Sequence, residues 1–155
     1  MTISTVSLRY PRAYAGHTAW ARRAAAGTLD RLGVADATLT VVLTDEAGIR
    51  TLNRQYAGND SVTDVLSFPS AATDPQTGAH HLGDVILAIP VAESQARAAG
   101  HDTKDEVTLL VVHGVLHLLG YDHADPTDRD AMWSVQAALL DDLGAGVLMP
   151  PEEPS

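Results

Sequence analysis

Apolar and polar positions along this chain change period several times, and each change marks an element. Ile3 to Tyr10 and Leu39 to Leu43 are short runs of β-branched and apolar residues that predict strands. Between them, His17 to Leu32 is Ala-rich with helical spacing and stops at Gly33, which predicts a helix with a left-handed terminal residue. Thr44, followed by Asp45 and Glu46, is placed to cap a helix running to about Tyr56. Val62 to Phe68 predicts a third strand stopped by Pro69, Ser70 to His80 a loop, and His81 to Ala88 a fourth strand. Pro90 opens a short helix that Gly100 closes. Thr103 and Glu106 have the spacing of a capping box for the next helix, whose Val107 to Leu119 is apolar on nearly every side. Such a segment, interrupted by Thr108, His113 and His117, predicts a buried helix rather than a membrane span. Thr127 opens a last helix ending near Leu143, and Met149 to Ser155, with Pro150, Pro151 and Pro154, predicts a frayed tail.

Strands mixed with helices without strict alternation predict an α+β fold. Its mixed sheet of about four strands packs against helices, with the apolar helix central and buried. The 155 residues, 45% of them hydrophobic, are enough for one sizeable core and few for two, so residues 1–148 are expected to form a single domain and 149–155 a disordered tail. The chain has no Cys, no charged-then-apolar leader and no apolar run of transmembrane length, which predicts a cytoplasmic protein without a membrane partner. A net charge of −10 runs against binding a phosphate backbone. The charge is uneven, however: Met1 to Arg54 holds seven basic residues against four acidic ones, so any RNA surface is expected from the N-terminal third. For Arg22, Arg23 and Arg31 a plain solvated helix face is the simpler expectation.

The densest chemistry lies in His113-Gly114-Val115-Leu116-His117-Leu118-Leu119-Gly120-Tyr121-Asp122-His123. Two His at i and i+4 project from one helix face, so their ring nitrogens can converge on one ion at about 2.0–2.1 Å. Gly120 permits a left-handed turn that ends the helix and lets His123 return to the same ion. Three imidazoles without Cys match a zinc site with an open position rather than a closed structural site of four ligands. The spacing is that of metzincin proteases, whose motif places a Glu base one residue after the first ligand. Here that residue is Gly114, which counts against a protease.

The string HGxLHLxGYDH, with Thr63-Asp64-Val65-Leu66-Ser67-Phe68-Pro69 and Leu82-Gly83-Asp84-Val85-Ile86-Leu87 before it, resembles the YbeY family of bacterial rRNA-maturation endoribonucleases. The resemblance runs from about Leu39 to His123 and includes Leu52-Asn53, Gln95-Ala96 and Gly100-His101. It implies a zinc-dependent endoribonuclease with one Zn²⁺ per chain on His113, His117 and His123. The implied partners are single-stranded rRNA and the small ribosomal subunit with its proteins, near the 3′ end of the small-subunit rRNA. Where the family carries an Arg followed by Gly and Lys, this chain has Tyr56-Ala57-Gly58-Asn59, with Arg54 the nearest cation. By resemblance, Ala57 is expected to face the metal cleft.

Asp64 and Asp84 are candidates for activating water, with strand-end hydrogen bonding the equal alternative, and Ser67 could contact substrate or close a strand end. The strands carrying them are expected to flank the cleft, where an edge strand could hold an extended peptide or nucleic acid. Asp122 is either a carboxylate orienting a ligand imidazole or a turn residue. His17, His80 and His81 lack convergent spacing and are expected to face solvent, although His80 and His81 could touch a phosphate, and His101 is expected to cap or make a local hydrogen bond. Met132 has the type of the Met beneath zinc in metzincins, but its amphipathic helix places it in the core. A zinc ion would lower the pKa of bound water toward ~7 and polarise a phosphoryl oxygen. That chemistry dispenses with a Glu base, and a carboxylate at Gly114 would repel the phosphate. The rival readings are a metalloprotease-like hydrolase and a non-catalytic ribosome-assembly factor with structural zinc.

Overall fold

The computed structural model describes residues 4–70, 72–121 and 125–145, so the tail at 149–155 lies outside the described residues. The elements in order are β1 (Thr5–Arg9), a 3₁₀ stretch (Arg12–His17), α1 (Thr18–Arg31), β2 (Ala37–Thr44), α2 (Glu46–Ala57), β3 (Val65–Pro69), β4 (His80–Ala88), α3 (Ile89–Ala99), α4 (Thr103–Leu118) and α5 (Pro126–Asp142). Every strand and helix expected from the apolar pattern is present, with boundaries shifted by a few residues. The sheet order is β1-β2-β4-β3, and β1, β2 and β4 are parallel while β3 is an antiparallel edge strand. The fold is therefore α+β with a mixed sheet. Pro69 is tolerated at the end of β3 because an edge strand has one side on which no N–H is required.

Strand alternation separates two faces. Leu39, Val41 and Leu43 of β2 with Val85 and Leu87 of β4 pack against α1, α4 and α5 in the main core. Ile86 and Ala88 turn the other way and meet Ile49 of α2, with Leu66 and Phe68 packed beside them. Helix α1 approaches closely because three of the five residues it buries are Ala21, Ala24 and Ala25, beside Thr28 and Leu29. Helix α4 touches α1, α3, α5, β3 and β4, and it is buried from Asp105 to Val112 and again from Gly114 to Leu116. A helix this apolar is stable only when neighbours cover most of its surface, as they do here from Asp105 to Leu116 apart from the half-buried His113. Among the described residues no helix is long and apolar enough to cross a membrane.

Three helix starts differ from the expected ones. Thr44 remains in β2, in register with Ala88, and Asp45 caps α2 by accepting the Gly48 N–H at 2.8 Å. No capping box forms on α4: Asp102 is the N-cap without a side-chain bond, and Glu106 is held by His101 Nε2 at 2.6 Å. Both partners of that pair are buried, so the carboxylate that would have reached back to the helix end is used inside the protein. Helix α5 begins at Pro126 under the Asp125 cap, whose carboxyl is held below the usual carboxylate range by the Asp128 backbone N–H.

Candidate metal centre and cleft

The i, i+4 spacing on α4 brings the Nε2 atoms of His113 and His117 to 3.2 Å of each other, with the rings edge-to-face at 4.7 Å. Two nitrogen ligands of one tetrahedral ion stand about 3.3 Å apart when each bond is about 2.0–2.1 Å. The separation of the pair is therefore the one that two ligands of a shared divalent cation require. His113 Nδ1 lies 2.8 Å from Oε1 of Gln136, a side chain 1% exposed on α5. With Nδ1–H donating to that oxygen, the lone pair of Nε2 is presented toward His117, as a ligand nitrogen requires.

Gln136 was not among the sequence candidates. Its signal was a polar residue in the buried stripe of α5 with Met132, Leu139 and Leu140. Met132 itself is core, 2% exposed. The end of α4 follows the expected course: Gly120 is left-handed at φ 99°, and the Tyr121 N–H bonds the Leu116 carbonyl at 3.0 Å. Asp122 and His123 lie outside the described residues.

A cleft of about 490 Å³ opens at the two imidazoles, lined by Asp64 and by Val65, Ser67 and Pro69 of β3 on one side and by His113, His117 and Leu118 of α4 on the other. Asp64 takes the Val65 N–H on Oδ1 at 2.8 Å and the Gln95 amide on Oδ2 at 3.3 Å. Ser67 donates its hydroxyl to the Gly114 carbonyl at 3.0 Å, tying the edge strand to the motif helix. Asp64 and Ser67 are thus brought to the imidazoles, and Asp84 is not. The expectation that both strands flank the cleft is corrected, because among the described residues β3 is the strand that lines it. Leu82 is an extra residue against β2, whose partners pass from His81 to Gly83. Beyond that bulge Asp84 pairs with Phe68 and Thr40 on the α2 face, where His81 Nε2 reaches it at 3.3 Å. His81 also bonds Thr38 Oγ1 at 2.8 Å, so it is not a plain solvent-facing histidine. Nor is His17, which is half-buried with its ring against Tyr14 and Trp20.

Gly114 has a role the sequence reading did not assign. A Cβ built there would stand 2.6 Å from Val85 Cγ1 and 3.1 Å from Ser67 Oγ. The helix lies flat on β3 and β4 at this residue, so the position of the metzincin Glu faces packed sheet rather than incoming substrate. Two further expectations change. Ala57 is exposed at the end of α2 and is not among the residues lining the cleft, while its neighbour Tyr56 packs on Phe68 across the sheet at 5.3 Å. Among the described residues the cleft walls come from residues 64–118, and much of the basic charge of the N-terminal third is engaged in other contacts. Arg22 bonds the Val6 carbonyl, Arg31 pairs with Asp142 at 3.3 Å, and Arg50 and Arg54 share Asp60. The bidentate hydrogen bonds from Arg50 hold the Asp60 carboxyl below its usual range.

Known proteins match most of the chain. Residues 13–144 match the family model described as Endoribonuclease YbeY. An Endoribonuclease YbeY of Salinispora tropica is 46% identical over 123 residues, covering 72% of this chain and 78% of that one. The Thermus thermophilus Endoribonuclease YbeY is 40% identical over 119 residues, covering 77% and 86%. The solution structure of a Thermotoga maritima protein superposes with a TM-score of 0.64 at 24% identity over 89% of this chain and 88% of that one, a likeness of fold.

Proposed function

Since the chain belongs to the YbeY endoribonuclease family, we propose that it is a zinc-dependent endoribonuclease acting on single-stranded rRNA. Its setting is small-subunit 3′-end maturation in the cytoplasm, with the small ribosomal subunit as partner. The observation that carries the reading is the convergence of His113 and His117 Nε2 at 3.2 Å beside an open cleft. His113 and His117 with His123 would hold the ion, which when bound supplies Lewis acidity and lowers the pKa of water toward ~7. Gln136 holds the ring of His113, and Asp64, which lines the cleft and whose Oδ2 accepts from the Gln95 amide, would be the carboxylate that takes a proton from the attacking group. Ser67 keeps the strand wall in register with α4 through the Gly114 carbonyl. A peptidase reading is not favoured, because the position of its Glu base is closed by Val85 and Ser67.

The direct test is cleavage of a single-stranded and a base-paired RNA by the purified protein, with and without chelator, with metal content measured on the same material. Cleavage of the single strand, lost on chelation and restored by zinc, is expected. Full activity in metal-free protein would end the zinc assignment. A second result is expected of Gln136→Leu, which removes the Oε1 acceptor 2.8 Å from His113 Nδ1. Zinc affinity, read by competition with a chromophoric chelator, should fall roughly 10–100-fold.

A further inference from the structure

The open side of β3 has an uneven set of hydrogen-bonding groups. The Ala88 N–H donates to the Asp64 carbonyl and the Ser70 N–H to the Leu82 carbonyl, each at 3.0 Å. In an antiparallel ladder these groups alternate. Asp64, Leu66, Phe68 and Ser70 therefore turn their backbone toward β4, while Val65, Ser67 and Pro69 turn theirs to the open edge. Of those three, Pro69 has no N–H, and the Val65 N–H is taken by Asp64 Oδ1 at 2.8 Å. Ser67 alone keeps an outward N–H, and among the described residues none accepts it. Its own carbonyl and that of Val65 face the same way, and all line the cleft beside His113 and His117.

An edge strand that accepts a peptide by strand addition offers N–H and C=O groups at alternate residues. This edge has one donor between two blocked positions, which suits a ligand that brings acceptors at one point and a donor beside it. We infer that the Ser67 main chain binds one ribose-phosphate unit of the RNA, its N–H donating to a phosphate oxygen and its C=O accepting the 2′-hydroxyl. This rests on the ribonuclease reading and adds to it a means of preferring ribose over deoxyribose. It also separates the two functions of Ser67, whose hydroxyl is committed to Gly114 and whose backbone faces the substrate.

The test compares Ser67→Pro, which removes the N–H at an edge position where the sheet does not need it, with Ser67→Ala, which removes only the hydroxyl. Zinc-loaded proteins are titrated with a short labelled oligoribonucleotide, read before turnover, and with its deoxy counterpart. The proline variant should bind RNA about tenfold more weakly than the alanine variant, as expected for one hydrogen bond to a charged group. The unaltered protein should favour RNA over DNA several-fold. Equal affinities in the two variants, or no ribose preference, would overturn the inference. The unaltered protein supplies a check that does not depend on either variant folding. On adding the deoxy oligonucleotide, the Ser67 amide resonance should shift together with the His117 ring resonances. A shift of His117 alone leaves the ribonuclease reading standing and removes Ser67 from it, and no shift at either residue by DNA or RNA removes both.

Discussion

His117→Ala should leave the protein folded but nearly free of zinc, with single-turnover RNA cleavage reduced about a thousandfold or more. The residue is partly buried at the end of α4, and the neighbours that hold the helix are the core residues Val111, Val112, Val115 and Leu116, so truncation at the cleft removes little packing. It does remove one of two nitrogens already 3.2 Å apart, and the remaining imidazoles cannot complete the site. Several kcal/mol of charge stabilisation at the phosphoryl group go with the ion, and about 4 kcal/mol corresponds to about a thousandfold in rate. Metal analysis, circular dichroism and single-turnover cleavage on the same preparation check it. Stoichiometric zinc in this variant would mean that α4 is not the metal helix.

Gly114→Ala is expected to destabilise the protein by about 1–2 kcal/mol, although Ala is the better helix former. The propensity gain of about 1 kcal/mol works against an overpacking cost of about 1–3 kcal/mol. The cost falls at the high end because the atom nearest the new methyl belongs to Val85, β-branched and fully buried, which has no alternative rotamer to offer cheaply. Gly114→Glu should be far worse, forcing α4 off the sheet and losing RNA cleavage through disorder of the two imidazoles rather than through repulsion of the phosphate. Denaturant unfolding measures the first effect, and a peptidase assay on the Glu variant measures the second. A Glu variant as stable as the parent that gains peptide hydrolysis would show that this helix face is open to the cleft after all.

Two expectations failed for related reasons. The Thr103–Glu106 capping box has the right spacing, and spacing is all a local pattern can supply. What it could not show is that His101 would be buried against the same carboxylate at 2.6 Å. Asp84 sits in a motif shared with the cleft strands, but the extra residue at Leu82 and the packing of Val85 on α4 decide which way the strand presents it. In both cases a local rule lost to a contact with a neighbouring element.

What the sequence determined by itself is what depends on short-range geometry. The strand and helix segments follow from periods of 2 and 3.6, the pairing of His113 with His117 follows from one helical turn, and the end of α4 follows from Gly120. The tertiary structure decided what requires two distant elements to meet. Gln136 reaches His113 from another helix 23 positions away, Asp64 and Ser67 arrive across the sheet edge, and Gly114 is required by Val85. No periodicity encodes those contacts, because close packing fixes them only when whole faces are brought together, and the orientation of each face is set by the sum of its burial rather than by any one residue.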